Sequence, residues 1–198
     1  MRLISNQDNQ QRIQDSFERI CNNCADNLKQ VIQEMSLIVA DDSTAQRIYS
    51  DQYNLLQRAY SEGFGGIKGN ITFENKRYHL VVLNMSKINE FNLTDCEFDG
   101  VLSHELGHIF NENPRREVPS ILRGNTQAEI EEAKKLSLKE SETYADYFSK
   151  ITNCSQGLIN SINKYLLSDN CLNKELFETR LEQLRSQDIL LGTTKVLQ

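Results

Sequence analysis

The 198-residue chain predicts an α+β fold, mainly helical, with a small antiparallel or mixed sheet beside one chemically loaded helix. Three observations carry this expectation. Apolar residues recur at intervals of three and four along most of the chain. Two β-rich runs, Ile67–Phe73 and Arg77–Asn84, flank a turn at Glu74-Asn75-Lys76. Shortly downstream, a helix with a capped start contains His104-Glu105-Leu106-Gly107-His108.

The composition is that of a soluble globular chain, with 38% hydrophobic and 25% charged residues. A net charge of −6 argues against binding nucleic acid through its phosphates. Met1 to Gln11 is polar and shows no secretory signal. The longest apolar runs, near Leu37–Ala40 and Leu80–Leu83, are too short to span a bilayer. A cytoplasmic location with no membrane partner is the expectation. Five cysteines, an odd count, point to reduced thiols. Cys21-Asn22-Asn23-Cys24 is formally C-x-x-C, but it sits in a helical pattern and reads as ordinary helix.

Taken in order, Gln7 to about Gln33 predicts one long amphipathic helix through Ile13, Phe17, Ile20, Cys24, Leu28, Val31 and Ile32. Met35 to Ala40 is a short strand. Thr44 to Tyr60 returns to helical spacing, with Ser43 as N-cap. The glycines between Ser61 and Asn70 fit no phosphate-loop spacing and read as a flexible connector. In the second β-run, the continuous apolar stretch Leu80–Leu83 suggests a strand covered on both faces. Thr94 and Glu97 have capping-box spacing, so the next helix starts near Asp95 and runs to about Phe110, before Pro114. Asn111 to Asn125 is a loop with Arg115, Arg116 and Arg123. A further helix opens after Thr126, with a break near Leu136 and a restart over Glu140–Thr152. Gln156–Leu167 and Asn173–Ser186 are two more amphipathic helices, and the residues from Gly192 are loose.

The chemistry lies in the capped helix. Residues four apart share a face, so His104 and His108 can aim both imidazoles at one metal ion. Two neutral imidazoles suit Zn²⁺. Glu105 projects about 100° further round and can reach a water on that metal as a general base. A catalytic zinc needs a third protein ligand. Glu142 supplies it best, in Glu142-Thr143-Tyr144-Ala145-Asp146. Asp146, one turn on, can hold an imidazole N–H. Glu132, Glu140 and Asp146 are reserve ligands. Cys96 lies on the His104 face but about 12 Å away along the helix. His79, Tyr144, Tyr147 and Tyr165 are candidates to stabilise an oxyanion or contact substrate, and a substrate strand could add to Tyr78–Asn84. Gly107 inside a helix costs about 1 kcal/mol against alanine, and a close neighbour at the metal site would explain it.

The order strand, His104-Glu105-Leu106-Gly107-His108, then Glu142-Thr143-Tyr144-Ala145-Asp146-Tyr147-Phe148 resembles the zincin metallopeptidases of the gluzincin type. It is most similar to the small intracellular ImmA/IrrE class. The resemblance covers about Tyr78 to Ile151, and the segment between His108 and Glu142 is longer than in tight gluzincins. It implies a zincin-like single domain over residues 1–198, with N-terminal helices to 60, a catalytic core over 61–152 and C-terminal helices beyond. It implies one zinc per chain on His104, His108 and Glu142. Glu105 would be the base of an endopeptidase acting on an intracellular protein, such as a transcriptional regulator. Two other readings stand beside it: a non-catalytic zinc-binding regulatory module, and a delivered effector protease.

Overall fold

A computed structural model describes residues 2–5, 7–48, 63–110, 127–169, 171 and 173–186, with side chains for most of them. The fold is α+β, mostly helical, with one four-stranded mixed sheet. The strands are β1 (Arg2–Ile4), β2 (Leu37–Asp41), β3 (Gly65–Phe73) and β4 (Lys76–Leu83), in the order β1-β2-β4-β3. β1 and β2 run parallel to their neighbours, whereas β3 is antiparallel to β4. The helices are α1 (Gln7–Asn23), α2 (Asp26–Glu34), α3 (Asp42–Ile48), α4 (Met85–Glu90), α5 (Asp95–Phe110), α6 (Gln127–Ile151), α7 (Ser155–Leu166) and α8 (Lys174–Arg185).

Alternation along the strands builds two cores. Leu37, Val39, Val81 and Leu83 face the helices and join Ile13, Phe17, Ile20, Phe98, Leu102 and Phe148. Ile38, Ala40, Leu80 and Val82 face the other way and pack with Ala45 of α3 and Ile71 of β3. The continuous apolar run in β4 is therefore covered on both faces, as its pattern suggests.

The helix α5 forms the middle of the helical layer. Twelve of its residues are buried, from every side of its circumference. Its start is the reciprocal capping box: the Thr94 N–H donates to Glu97 Oε2 at 2.7 Å, and the Glu97 N–H donates to Thr94 Oγ1 at 3.3 Å. Lys164 of α7 adds a 2.6 Å ion pair to the same carboxylate. Where α7 crosses α5, glycines lie on both sides. A Cβ on Gly100 would come within 2.1 Å of the Leu158 nitrogen, and one on Gly157 within 1.8 Å of the Cys96 carbonyl oxygen. Side chains on either helix would force the crossing apart.

Several elements differ from the sequence expectation. The long first helix is two, broken at Cys24-Ala25, where Ala25 is extended (φ −62°, ψ 148°) and Asp26 opens α2. Asn153 closes the end of α1 by donating its amide to the Asn23 carbonyl at 2.8 Å. Asp41, not Ser43, caps α3, because its Oδ1 accepts the Thr44 N–H at 2.7 Å. Gly65 and Gly66 belong to β3 and pair with Leu83 and Val82, so the flexible connector does not extend through them. The turn between β3 and β4 is a two-residue one, with positive φ at both Glu74 and Asn75. β1 and α4 were not expected; each is too short to show a period. α6 runs through Leu136 without the expected break, since Ala133 to Leu138 contains neither glycine nor proline to stop it. The Asn111–Asn125 loop, the Thr126 cap, the end of the Thr44–Tyr60 helix and the tail from Gly192 lie outside the described residues.

Burial pushes the Glu97 carboxyl up, but Lys164 and the Thr94 donors prevail and hold it below its ordinary 4.5. The stabilisation is then fully present above pH 4.5 and fades as pH falls through the lowered value. Glu97→Gln is expected to cost about 1–2 kcal/mol at pH 7. In urea titrations the gap to wild type should narrow as pH falls below 4.5 and through the lowered value. A gap that stays constant into acid would refute the ionic role.

Candidate metal centre

The centre forms where α5 and α6 lie antiparallel. His108 meets Ser141, Gly107 meets Ala145 and Phe148, and Ser103 meets Thr152, whose hydroxyls lie 2.6 Å apart. A Cβ on Gly107 would stand 2.7 Å from the Ala145 Cα and from the Phe148 Cβ. The neighbour that explains this mid-helix glycine is thus the α6 backbone. Because α6 comes so close, Glu142 reaches both histidines.

Among the described residues, one group of side chains can hold a metal ion: His104, His108 and Glu142, with ligand atoms within 4.8 Å of one another. His104 Nε2 and His108 Nε2 are 3.2 Å apart. Glu142 Oε2 lies 3.3 Å from His104 Nε2, and Glu142 Oε1 lies 3.4 Å from His108 Nε2. Bonds of 2.0–2.1 Å to a tetrahedral zinc give ligand–ligand edges of about 3.3–3.4 Å. The donor set therefore fits a small divalent ion.

The far ring nitrogens are also held. His104 Nδ1–H donates to Asp146 Oδ1 at 2.8 Å, and His108 Nδ1 is 3.0 Å from Ser141 Oγ. Both bonds leave Nε2 as the nitrogen that faces the centre. Burial and the Arg180 cation oppose charge on His104. Its bonds to Asp146 and Glu142 outweigh them and raise it to about 9. Burial opposes ionisation of Glu142 as well, yet Arg180 and the two histidines hold it well below its ordinary value. Asp146 is lowered too: burial works against it, and Arg180 and His104 overcome that.

Glu105 stands apart from these donors. It is buried, and burial shifts its carboxyl upward against the pull of both histidines. Its carboxylate packs against Gly65, the first residue of β3. A Cβ at Gly65 would lie 3.0 Å from Glu105 Oε1 and 3.1 Å from its Cδ. Glu105 thus sits between the metal-capable group and the sheet.

The other sequence candidates are placed elsewhere. Tyr165 is buried with its ring among Phe64, Phe91 and Phe177, and Lys87 lies over it. His79 pairs with Leu37, four residues along β4 from Leu83, whose partner Gly65 touches Glu105. At roughly 3.3 Å per residue that is about 13 Å away. Tyr144 and Tyr147 leave α6 roughly 160° and 140° around from Glu142. Glu140 is exposed, and the Glu132 side chain is outside the described set. β4 is paired on both sides, by β2 and β3, so it has no edge for an added substrate strand. Among the described residues, the free edge beside Glu105 belongs to β3.

Arg180 of α8 is the residue that motif reading missed. Its Nε and Nη2 donate to Asp146 Oδ2 and Oδ1 at 3.0 and 2.7 Å, and Nη1 lies 2.9 Å from Glu142 Oε2. A signal was present: Arg180 lies three residues after Phe177 and four before Leu184, on the apolar face of its helix. A cation there needs a buried acid.

Comparison with known proteins gives no match: no family model, no curated protein and no solved structure. Among the described residues, no helix is long and apolar enough to cross a membrane.

Gly107→Ala tests the close approach. It should destabilise the protein by about 1–3 kcal/mol through overpacking. It should also weaken binding of a divalent metal ion, because α6 carries Glu142 outward. Thermal melts and a chelator competition check both; an unchanged metal affinity would separate the glycine from the centre.

Proposed function

We propose that this protein is a zinc-dependent endopeptidase with a zincin-like core, most similar to the ImmA/IrrE class, and that its substrate is a protein or peptide. One observation carries the reading. Beside three donors spaced for a tetrahedral ion stands a further buried side chain, the Glu105 carboxylate, which is not among them. A purely structural metal site has no use for it.

His104, His108 and Glu142 would hold the zinc. When bound, it supplies a Lewis acid that polarises a carbonyl and makes water more acidic. Asp146 and Ser141 keep the two imidazoles oriented with Nε2 inward. Glu105 takes the proton of the attacking water and passes it to the leaving amine. Its burial favours this role, because a carboxylate raised toward neutrality is a better proton carrier. Gly65 leaves room for that carboxylate, and the β3 edge next to it offers backbone groups to an extended peptide.

A second reading has its own observation. Arg180 pairs with Glu142 and Asp146 directly, so the protein itself already supplies a cation to the acids of the centre. On this reading the chain is a binding or regulatory module on the same scaffold.

Wild-type protein should bind one zinc per chain by elemental analysis. Glu142→Ala should lose most of it, whereas Glu105→Gln should keep it and lose peptide hydrolysis by at least 10²-fold. Full zinc in Glu142→Ala would remove Glu142 from the ligand set. Hydrolysis that survives Glu105→Gln would remove the mechanism, and zinc without hydrolysis in wild type would favour the module.

Zinc uptake should also be linked to pH. His104 is charged below its raised value of about 9, and a metal needs it neutral. Apparent affinity should therefore rise with pH toward 9, with about one proton released per zinc at pH 7. Calorimetry in two buffers of different ionisation heat measures that proton. Zero release would contradict the His104 assignment.

A further inference from the structure

We propose that Arg180 is a positioning residue of the metal centre, tying Asp146 and Glu142 into one fixed frame behind the two histidines; this rests on the metal-binding reading above. Arg180 comes from α8, a helix that carries none of the donor residues. Its side chain is 8% exposed and sits against the Phe177 ring. Burying a guanidinium without partners is costly, so its bonds decide what it does.

Its shortest contacts go to the acids of the centre, and Nη2 also meets the His104 ring. The Nε and Nη2 edge forms a two-bond fork on Asp146, and Nη1 meets Glu142 Oε2. Both Asp146 oxygens are thereby engaged, Oδ1 by His104 as well as by Arg180. Asp146 cannot rotate away, and the His104 ring is locked with Nε2 inward. Glu142 Oε2 is drawn toward Arg180, which biases Glu142 toward presenting Oε1 to a cation. Arg180 Nη2 lies 3.2 and 3.3 Å from the two ring nitrogens of His104, so it sits beside the ring and not in line with one nitrogen. With its fork spent on Asp146 and its third nitrogen on Glu142, Arg180 is not an anchor for a substrate carboxylate. A lysine would bring the same charge but no planar fork that grips two acids at once.

The test uses the full chain loaded with Co²⁺, whose visible absorption reports the geometry of its ligands, and with Zn²⁺ under chelator competition. Arg180→Lys keeps the charge and removes the fork. It is expected to lower Zn²⁺ affinity tenfold or more and to shift the Co²⁺ band, in the range for residues that orient metal ligands. Wild-type affinity and spectrum in Arg180→Lys would overturn the proposal, since charge alone would then suffice. Removing Arg180 takes the buried cation from both Asp146 and Glu142 and can unfold the protein. The double variant Arg180→Gln/Asp146→Asn avoids this, and it is compared with Asp146→Asn alone. A further loss of threefold or more in Co²⁺ affinity is expected, because the Glu142 contact goes as well. Equal affinities would overturn the bridging role. Wild-type protein that takes up neither ion would instead sink the metal-binding reading, so the two failures are distinct.

Discussion

The helix contact the centre depends on is the one at Gly107. Gly107 lies against the backbone of Ala145, and no side chain stands between α5 and α6 at that point. Glu142 has a short reach, and it meets His104 and His108 at 3.3 and 3.4 Å because the helices are that close. The contact recurs along the seam: Ser141 bonds His108, Asp146 bonds His104, and the Ser103 and Thr152 hydroxyls bond each other. These are small or short side chains. A seam of large apolar residues would fill the space better but would hold the donors apart.

Close packing brings a charge problem with it. Glu105, Glu142 and Asp146 are all shielded from water, and isolated carboxylates there would be expensive. Arg180 and His104 offset two of them. Their shared geometry explains the opposite shifts within a few ångströms: Glu142 and Asp146 go down beside the cations, whereas Glu105, which faces Gly65, goes up. The C-terminal helices are therefore part of the centre. α7 supplies Lys164 to the cap of α5, and α8 supplies Arg180 to Asp146 and Glu142.

What could be read from the chain depended on how local the cause was. The capping box at Thr94 and Glu97, the i,i+4 histidines and the Glu142–Asp146 spacing are properties of a few neighbouring residues, and each stands in the structure as geometry. Gly107 was legible as an anomaly, and its cause is α6. The break between α1 and α2 escaped because the apolar period passes through it; at the break the Asn23 carbonyl is taken by Asn153, 130 residues downstream. Ser43 was the cap the spacing offered, and Asp41 takes the role because its Oδ1 accepts the Thr44 N–H. Arg180 was a charge on an amphipathic helix, and its partners lie 34 and 38 residues earlier on another element. Distant pairings of this kind leave only an indirect trace, a charge on an apolar face.

The same helical phase that groups the donors also separates Glu105 from them. α5 is buried all round, so each side chain is aimed by its angle on the helix and not by a choice between protein and solvent. His104 and His108 share the direction of α6. Glu105, about 100° further round, must point elsewhere, and what lies there is the start of β3. That wall is made of backbone: Gly65 has no Cβ, and the neighbouring Phe64 carbonyl is tied to the Asn84 N–H at 2.8 Å. Two glycines thus mark the two sides of the helix, Gly107 toward the ligand-bearing neighbour and Gly65 toward the carboxylate left over. A single capped helix, packed between one helix and one strand, is enough to hold metal-capable donors on one wall and a buried, upward-shifted carboxylate on the next.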